Sequence, residues 1–180
     1  MEIITVESLM VPIEEYATVS EDATLYEAVK VLEKAQEEQD RQRYHYLHRE
    51  ILVLDRNGKA EGKISQLDVL MALEPKYKEM GDMKSISRAG FSVEFLKSML
   101  EKFDLCDIPF THMCARTADL KVKEFMSSLS EGEHVEADMA LCEAVHMFVI
   151  GNHQSLLVTR DEKIIGVLRV ADVFKEVFQR

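Results

Sequence analysis

The chain has 180 residues, of which 47% are hydrophobic and 31% charged, a balance that is typical of a globular protein and excludes a disordered or fibrous chain. Its 33 acidic and 22 basic residues give a net charge of −11, so the surface as a whole repels nucleic acid and anionic membranes. No apolar run is long enough to span a membrane, no basic signal region precedes a hydrophobic stretch, and the 3 cysteines are irregularly spaced, so we expect a cytoplasmic protein.

An amphipathic helix is predicted near the N-terminus. Leu25, Ala28, Val29 and Leu32 recur at helical spacing and are expected to form one apolar face. The polar tract that follows, residues 36–46, predicts an extension of this helix into solvent.

A β-hairpin and a closing helix are predicted at residues 51–73. Apolar residues 51–54 run into Asn57-Gly58, a pair that is typical of tight hairpin turns. After Gly62 the apolar spacing becomes helical, and Ser65 and Asp68 stand where an N-cap and its partner three residues later would lie.

Residues 75–117 are predicted to form an ordered helical insertion. Apolar residues spaced for a buried helical stripe, with Ser92 as its cap, are Phe91, Phe95, Leu96, Met99, Leu100 and Phe103. Cys106, His112 and Cys114 also lie in this segment. Their spacing matches no standard zinc pattern, so no metal site is predicted.

The last third of the chain repeats the first third. Residues 6–10, Val-Glu-Ser-Leu-Met, return 116 positions later as Val-Lys-Glu-Phe-Met, and the register continues through the Glu-Ala-Val of both helices. The hairpin and the closing helix return at residues 156–178. This gapless similarity indicates an internal duplication, with residues 1–74 and 118–180 as two repeats that pack as one domain.

Both copies resemble the cystathionine β-synthase (CBS) domain, and together they are similar to a tandem CBS pair, or Bateman module. The marks are the opening Val-x-x-hydrophobic-Met, the Leu-x-Glu-Ala-Val helix, the apolar hairpin, and the Gly-hydrophobic-x-Ser/Thr-x-x-Asp element, carried in the first copy by Gly62 to Asp68. The resemblance implies an α/β (α+β) fold in which two β-α-β-β-α repeats pack as one pseudo-twofold module, with the helical insertion between them.

The resemblance also implies an adenine nucleotide, AMP, ADP or ATP, in the cleft between the repeats, and no metal. In the first copy Asp68 would bind the ribose, Ser65 the phosphate, and Ile51 would lie beside the base. Further ligand contacts are implied for Gly62, Val11, Gly166, Leu156, Arg169 and Asp172.

Two features of this site leave alternatives open. Backbone N–H groups at a helix N-terminus favour a phosphate near Ser65, but Ser65 and Asp68 are equally explained as a capping pair. Arg169 stands where the second copy should carry a hydroxyl. Its guanidinium either reaches a phosphate or pairs with Asp172 and closes the second site.

We expect a stand-alone regulatory module that senses an adenine nucleotide and signals the energy state to a protein partner. The alternatives are a sensor of S-adenosylmethionine or another adenosyl ligand, and a structural dimerisation or docking pair with degenerate sites. An enzyme is not expected, because the sequence carries no nucleophile elbow, P-loop or dinucleotide fingerprint.

The broad apolar stripe of the last helix, residues 170–178, predicts a homodimer.

Overall fold

The computed structural model describes residues 3–80, 92–105 and 107–178. The strands in these ranges are β1 (Val11–Pro12), β2 (Thr18–Ser20), β3 (Glu50–Leu54), β4 (Ala60–Ser65), β5 (Ser127–Ser128), β6 (His134–Glu136), β7 (Ser155–Arg160) and β8 (Lys163–Arg169). The helices are α1 (Leu25–Glu38), α2 (Gln66–Ala72), α3 (Val93–Lys102), α4 (Phe110–Thr117), α5 (Leu141–Gly151) and α6 (Val170–Phe178). The mixed α/β fold with a helical insertion is therefore confirmed.

The described strands form two four-stranded sheets, one in the order β2-β3-β4-β5 and the other in the order β1-β8-β7-β6. Each repeat supplies three strands of one sheet and a short fourth strand to the other sheet. Strand β1 pairs antiparallel with β8, with Val11 opposite Val167, and β5 pairs antiparallel with β4, with Ser127 opposite Lys63. The two repeats thus exchange strands around a pseudo-twofold axis.

Local chemistry explains both hairpins. In the first, the Asp55 carboxylate accepts hydrogen bonds from the backbone N–H groups of Asn57 and Lys59, at 2.7 and 2.8 Å, and Gly58 has a φ of 80°. In the second, Asp161 and Glu162 have φ values of 51° and 61°. Positive φ at both central residues matches the right-handed twist of the strands that the turn joins.

The core is continuous between the repeats. One cluster of buried side chains combines Val11 and Leu52 of the first repeat with Leu157 and Val167 of the second. Because these residues come from both sheets, the hydrophobic contact holds the two repeats together as one module.

The polar tract after α1 does not extend the helix, so this prediction is wrong beyond Glu38. Helix α1 ends there, and Gln39 has extended backbone angles of −61° and 128°. The Gln39 side-chain amide donates hydrogen bonds to the carbonyls of Tyr44 and Tyr46, at 3.2 and 2.8 Å. These bonds turn the chain back toward the core, and Tyr44 is only 5% exposed.

The insertion contains the predicted cap but not the predicted buried stripe. Ser92 Oγ accepts a hydrogen bond from the Phe95 N–H at 3.1 Å and caps α3. However, no residue of α3 is buried, and Phe95 and Leu96 are exposed. Helical spacing predicts an apolar face, but it does not determine which surface covers that face. Phe91 and Cys106 lie outside the described residues.

Two glycines allow the exchanged strands to approach the sheets. A Cβ atom on Gly166 would lie 2.6 Å from the Val11 carbonyl oxygen and 2.7 Å from Met10 Sδ. A Cβ atom on Gly62 would lie 2.8 Å from the Ser127 carbonyl oxygen and 2.7 Å from Met126 Sδ. In both repeats, therefore, the glycine leaves open the space that a Cβ atom would occupy, and backbone of the other repeat lies there.

We expect Gly166→Ala to lower the free energy of unfolding by about 1–3 kcal/mol, because the added methyl group meets backbone that cannot move without breaking the β1–β8 pairing. Urea denaturation measures this change. Gly132→Ala is the matched control, since its Cβ atom would lie 3.7 Å from the nearest atom, in His153. Equal stability of the two variants would contradict this account of the exchanged strand.

Candidate functional site

A groove of about 540 Å³ lies between the repeats, where α2 and α6 begin. Ser65, Gln66 and Leu67 border it from the first repeat, and Arg169, Val170 and Ala171 border it from the second. Its lining also includes the apolar side chains of Leu47 and Phe174 and the polar side chains of Arg49, Glu50 and Gln154. A concave, largely apolar site with a few convergent polar groups is typical of small-molecule binding.

Ser65 and Asp68 form a capping box at the start of α2. The Ser65 N–H and hydroxyl donate to Asp68 Oδ2 at 2.7 and 2.6 Å, and the Asp68 N–H lies 3.2 Å from Ser65 Oγ. The capping alternative is therefore present in the structure. Both side chains are half-buried, Ser65 borders the groove, and the ligand role of the pair stays a prediction.

Ser127 contacts Asp68, whose surroundings at the start of α2 we call the first cleft, and it was not identified from the sequence. Its hydroxyl donates to Asp68 Oδ1 at 2.9 Å, from strand β5 of the other repeat. The repeat offset of 116 residues maps Val11, a predicted contact, onto Ser127, so the duplication contained the signal. Only the strand exchange brings Ser127 to the aspartate of the first repeat.

A polar cluster also joins the two sheets near the first cleft. Lys63 Nζ donates to Ser155 Oγ at 3.1 Å and lies 3.6 Å from Glu133 Oε1. The Ser155 hydroxyl in turn donates to Glu50, which borders the groove. Lys63 and Ser65 share one face of β4, because side chains alternate along a strand. The Lys63 ammonium of the first repeat is therefore bound by Ser155 and Glu133 of the second repeat.

In the second copy Arg169 pairs with Asp172, which is the second of its two predicted alternatives. Arg169 Nε and Nη2 donate to Asp172 Oδ2 and Oδ1 at 2.5 and 2.7 Å, and both side chains are 6% exposed. Arg169 Nη1 also donates to the Tyr46 carbonyl at 3.1 Å. Both carboxylate oxygens of Asp172 are thus engaged by one guanidinium.

Tyr44 and His48, from the segment of residues 39–49 that follows α1, lie against this ion pair. The Arg169 guanidinium lies 5.3 Å from the centre of the Tyr44 ring, within the range of a cation–π contact. His48, which is 1% exposed, places Nδ1 3.1 Å from Arg169 Nη1, and Tyr16 packs edge-on against the His48 ring at 5.1 Å. Sequence periodicity did not identify Tyr44 and Tyr16 as site residues. For Tyr44, the signal available in the sequence was that the segment between the first helix and the hairpin is longer in the first repeat than in the second.

Burial determines the protonation of this cluster. It lowers the pKa of His48 to about 4, and the neighbouring Arg169 charge lowers it in the same direction. Burial raises the pKa of Tyr44 to about 12, assisted by the hydrogen bond that its hydroxyl donates to Glu15 at 3.0 Å. Burial, followed by the Glu50 charge, raises the pKa of Tyr16. His48 is therefore neutral at pH 7, and its Nδ1 can accept the Arg169 N–H.

The remaining predicted contacts lie deeper. Val11, Ile51 and Leu156 are fully buried in the hydrophobic core, and Gly62 and Gly166 face the exchanged strands. Their ligand roles stay predictions.

Within residues 3–80, 92–105 and 107–178, no three His, Cys, Asp or Glu side chains are grouped so as to hold a metal ion, and no helix is long and apolar enough to cross a membrane.

Comparison with known proteins bears on the fold. Residues 6–75 match the family model for the CBS domain. A CBS domain-containing protein of unknown function from Bacillus anthracis has a similar structure, with 18% identity, a TM-score of 0.63, and coverage of 98% of this chain and 94% of that chain. Comparison with curated protein sequences gave no significant match.

Two further structures have the same fold at low identity. The crystal structure of CBSX2 in complex with AMP aligns with a TM-score of 0.58 and 18% identity, over 97% of this chain and 96% of that one. Protein MJ1004 from Methanocaldococcus jannaschii aligns with a TM-score of 0.60 and 20% identity. The alignment with MJ1004 covers 98% of this chain but 60% of that longer protein.

We expect stability to fall as the pH is lowered from about 6.5 to about 4, because His48 is protonated in the unfolded chain over this range but stays neutral when folded. The loss attributable to His48 should be roughly 1–3 kcal/mol at the acid end. Urea denaturation at several pH values compares the wild type with His48→Asn. The variant should have a shallower dependence, whereas His45→Gln, at an exposed position, should match the wild type. Identical slopes in all three proteins would contradict the assignment.

Proposed function

We propose that this chain, whose residues 6–75 match the CBS-domain family model and whose fold is that of solved CBS-domain proteins, is a regulatory module that binds an adenine nucleotide between its repeats and signals the energy state to a protein partner. The observation that carries the proposal is the groove of about 540 Å³ at the junction of the two repeats. This volume lies within the range of about 300–1,000 Å³ of small-molecule sites. The similar fold of CBSX2, crystallised with AMP, supports the ligand class.

The first cleft is the proposed nucleotide site. Asp68 Oδ1 accepts only from the Ser127 hydroxyl among the bonds described for it, and a ribose hydroxyl can replace that donor. Ser65 and the exposed Arg49 border the groove. Asp68 supplies an acceptor for a ribose, and Ser65 and Arg49 supply donors for phosphate oxygens.

AMP, ADP and ATP share the adenosine that this cleft would recognise, and they differ in the length of their phosphate chain. Arg49, at the border of the groove, offers a guanidinium to that chain, which favours a nucleotide over S-adenosylmethionine, whose sulfonium is cationic. The proposed activity is regulation through binding, not catalysis.

A structural docking role is the second candidate, and one observation favours it. The aspartate that ends the Gly-hydrophobic-x-Ser/Thr-x-x-Asp element has a hydrogen-bond partner within the protein in both repeats. Asp68 is bound in the capping box, and Asp172 is bound in the ion pair with Arg169. In that case the groove would serve only as an interface between repeats, and the module would act through its surfaces.

We expect Asp68→Ala to weaken AMP and ATP binding at least tenfold, because losing a hydrogen bond to a charged group costs about 1.5–3 kcal/mol. Isothermal titration calorimetry measures the affinity. Ser127→Ala removes the competing donor and should leave binding equal or tighter, which separates a ligand contact from a change in the Asp68 surroundings. Asp107→Ala, at an exposed position in the insertion, is the charge-matched control. Unchanged affinity in Asp68→Ala would reject the assignment.

Homodimerisation is also proposed, because the closing helices leave apolar surface uncovered. On α6, Phe174, Val177 and Phe178 are exposed, and on α2 the same holds for Leu67 and Leu70. Phe174 and Leu67 border the same groove, so the two helices form one apolar face. A twofold pair buries such a face against its own copy, and about 800 Å² per partner is usual for a stable interface.

Light scattering at micromolar concentration tests the dimer. Wild-type protein should have twice the 20.7 kDa mass of one chain, and Phe178→Glu should restore the monomer mass, because a carboxylate is costly to bury without a partner. Phe110→Glu is the control, since Phe110 is similarly exposed but lies in the insertion. A wild-type mass near 20.7 kDa would exclude the dimer.

A further inference from the structure

The two repeats differ most in the segment that joins the first helix to the hairpin. In the first repeat α1 ends at Glu38 and β3 begins at Glu50, so the link comprises residues 39–49. In the second repeat α5 ends at Gly151 and β7 begins at Ser155, so the link comprises residues 152–154. The first link, which we call the long link, therefore has material that the fold itself does not require.

Hydrogen bonds within the first repeat shape the long link. The Gln39 side chain accepts from the His48 N–H at 3.2 Å and donates to the carbonyls of Tyr44 and Tyr46. The Gln36 amide donates to the His48 carbonyl at 2.6 Å. The link is thus a folded loop with its own polar framework.

Contacts with the second repeat hold the long link against α6. Arg169 donates to the Tyr46 carbonyl, approaches His48 Nδ1 and lies over the Tyr44 ring. From α6 itself, Lys175 Nζ donates to the Arg43 carbonyl at 3.4 Å. Tyr44 and His48 are 5% and 1% exposed, so these contacts bury two side chains of a link whose other residues are mostly exposed.

The position of the long link is that of the second ligand cleft. The space left beside Asp172 is a pocket of about 90 Å³ whose lining includes Tyr44, Lys175 and residues 8–10 of the first repeat. The repeat offset maps residues 8–10 onto residues 124–126, which directly precede Ser127, the partner of Asp68. Tyr44 therefore lines the same pocket as Asp172 and the exchanged residues 8–10.

Beside Asp172 there is little space, and both carboxylate oxygens of Asp172 already have a donor. A pocket of about 90 Å³ is well below the roughly 300 Å³ at which small-molecule sites begin. Both oxygens of Asp172 accept from Arg169, which is itself buried. At Asp68, by contrast, the donors besides the Ser65 backbone N–H are two half-buried or exposed hydroxyl groups, which can rotate toward a ligand.

We propose that the long link is an internal occupant of the second cleft, which keeps this cleft closed and leaves one ligand site per chain. Arg169 holds the link by its hydrogen bond to Tyr46 and its contact with Tyr44, while its pairing with Asp172 removes the ribose acceptor. The identity of the ligand rests on the proposed function, but the closure of the cleft follows from the contacts of the link itself.

Calorimetry with AMP tests the proposal by counting sites. In the opening variant, Arg169→Ser is combined with replacement of residues 39–49 by Asn-His-Gln, the sequence of residues 152–154. It should bind one more AMP per chain than the wild type does. No gain in stoichiometry would overturn the proposal. A wild-type count of zero would instead count against the proposed function of the first cleft, and the gain in the variant would still decide the closure.

Hydrogen exchange of the backbone amides in the long link is a second test, which does not require the opening variant to fold. In the wild type the amides of residues 42–48 should be protected, with and without saturating AMP. Arg169→Ser should accelerate their exchange at least tenfold, while Arg41→Ser, at an exposed position in the same link, should not. Wild-type exchange at the rate of an unstructured peptide, or equal protection in both variants, would overturn the proposal.

Discussion

The exchange of short strands between the repeats is the constraint on which the rest of the structure depends. Strands β1 and β5 each join the sheet of the other repeat, where Gly166 and Gly62 leave room for their backbone. This exchange places the opening segment of each repeat beside the closing helix of the other. Each candidate cleft is therefore built from both repeats, and neither repeat alone would form one.

Two nearly equivalent halves have nevertheless become chemically different. At one position the first repeat has a serine, whose hydroxyl forms a local cap, and the second has Arg169, whose guanidinium extends across the boundary between repeats. The buried Arg169–Asp172 pair tolerates desolvation because further hydrogen bonds and the Tyr44 ring satisfy the arginine. Removing either partner would leave an uncompensated charge, so the pair stabilises one closed arrangement.

A capping role and a ligand role are physically compatible at Ser65 and Asp68. A cap needs one carboxylate oxygen to accept from backbone and hydroxyl groups, and Asp68 uses Oδ2 for this purpose. The other oxygen faces Ser127 across the cleft. A carboxylate with four acceptor positions can retain its cap while binding a hydroxyl from a ligand. The cap therefore orients the side chain for the proposed ribose contact.

The sequence by itself determined the two hairpins and the caps at Ser65 and Ser92, because each depends on residues only a few positions apart. It also determined the duplication, because residue identities recur at a constant offset of 116 positions. It also indicated the fold through the matching periodicity of the two copies. Only the tertiary structure decided the strand exchange, since two-residue strands such as β1 carry no recognisable pattern. It likewise decided that Arg169 pairs with Asp172, that the polar tract folds back to bury Tyr44, and that the α3 stripe stays exposed. These outcomes depend on contacts between segments far apart in the chain, where burial and hydrogen-bond partners are set by the packing of whole elements and not by local spacing.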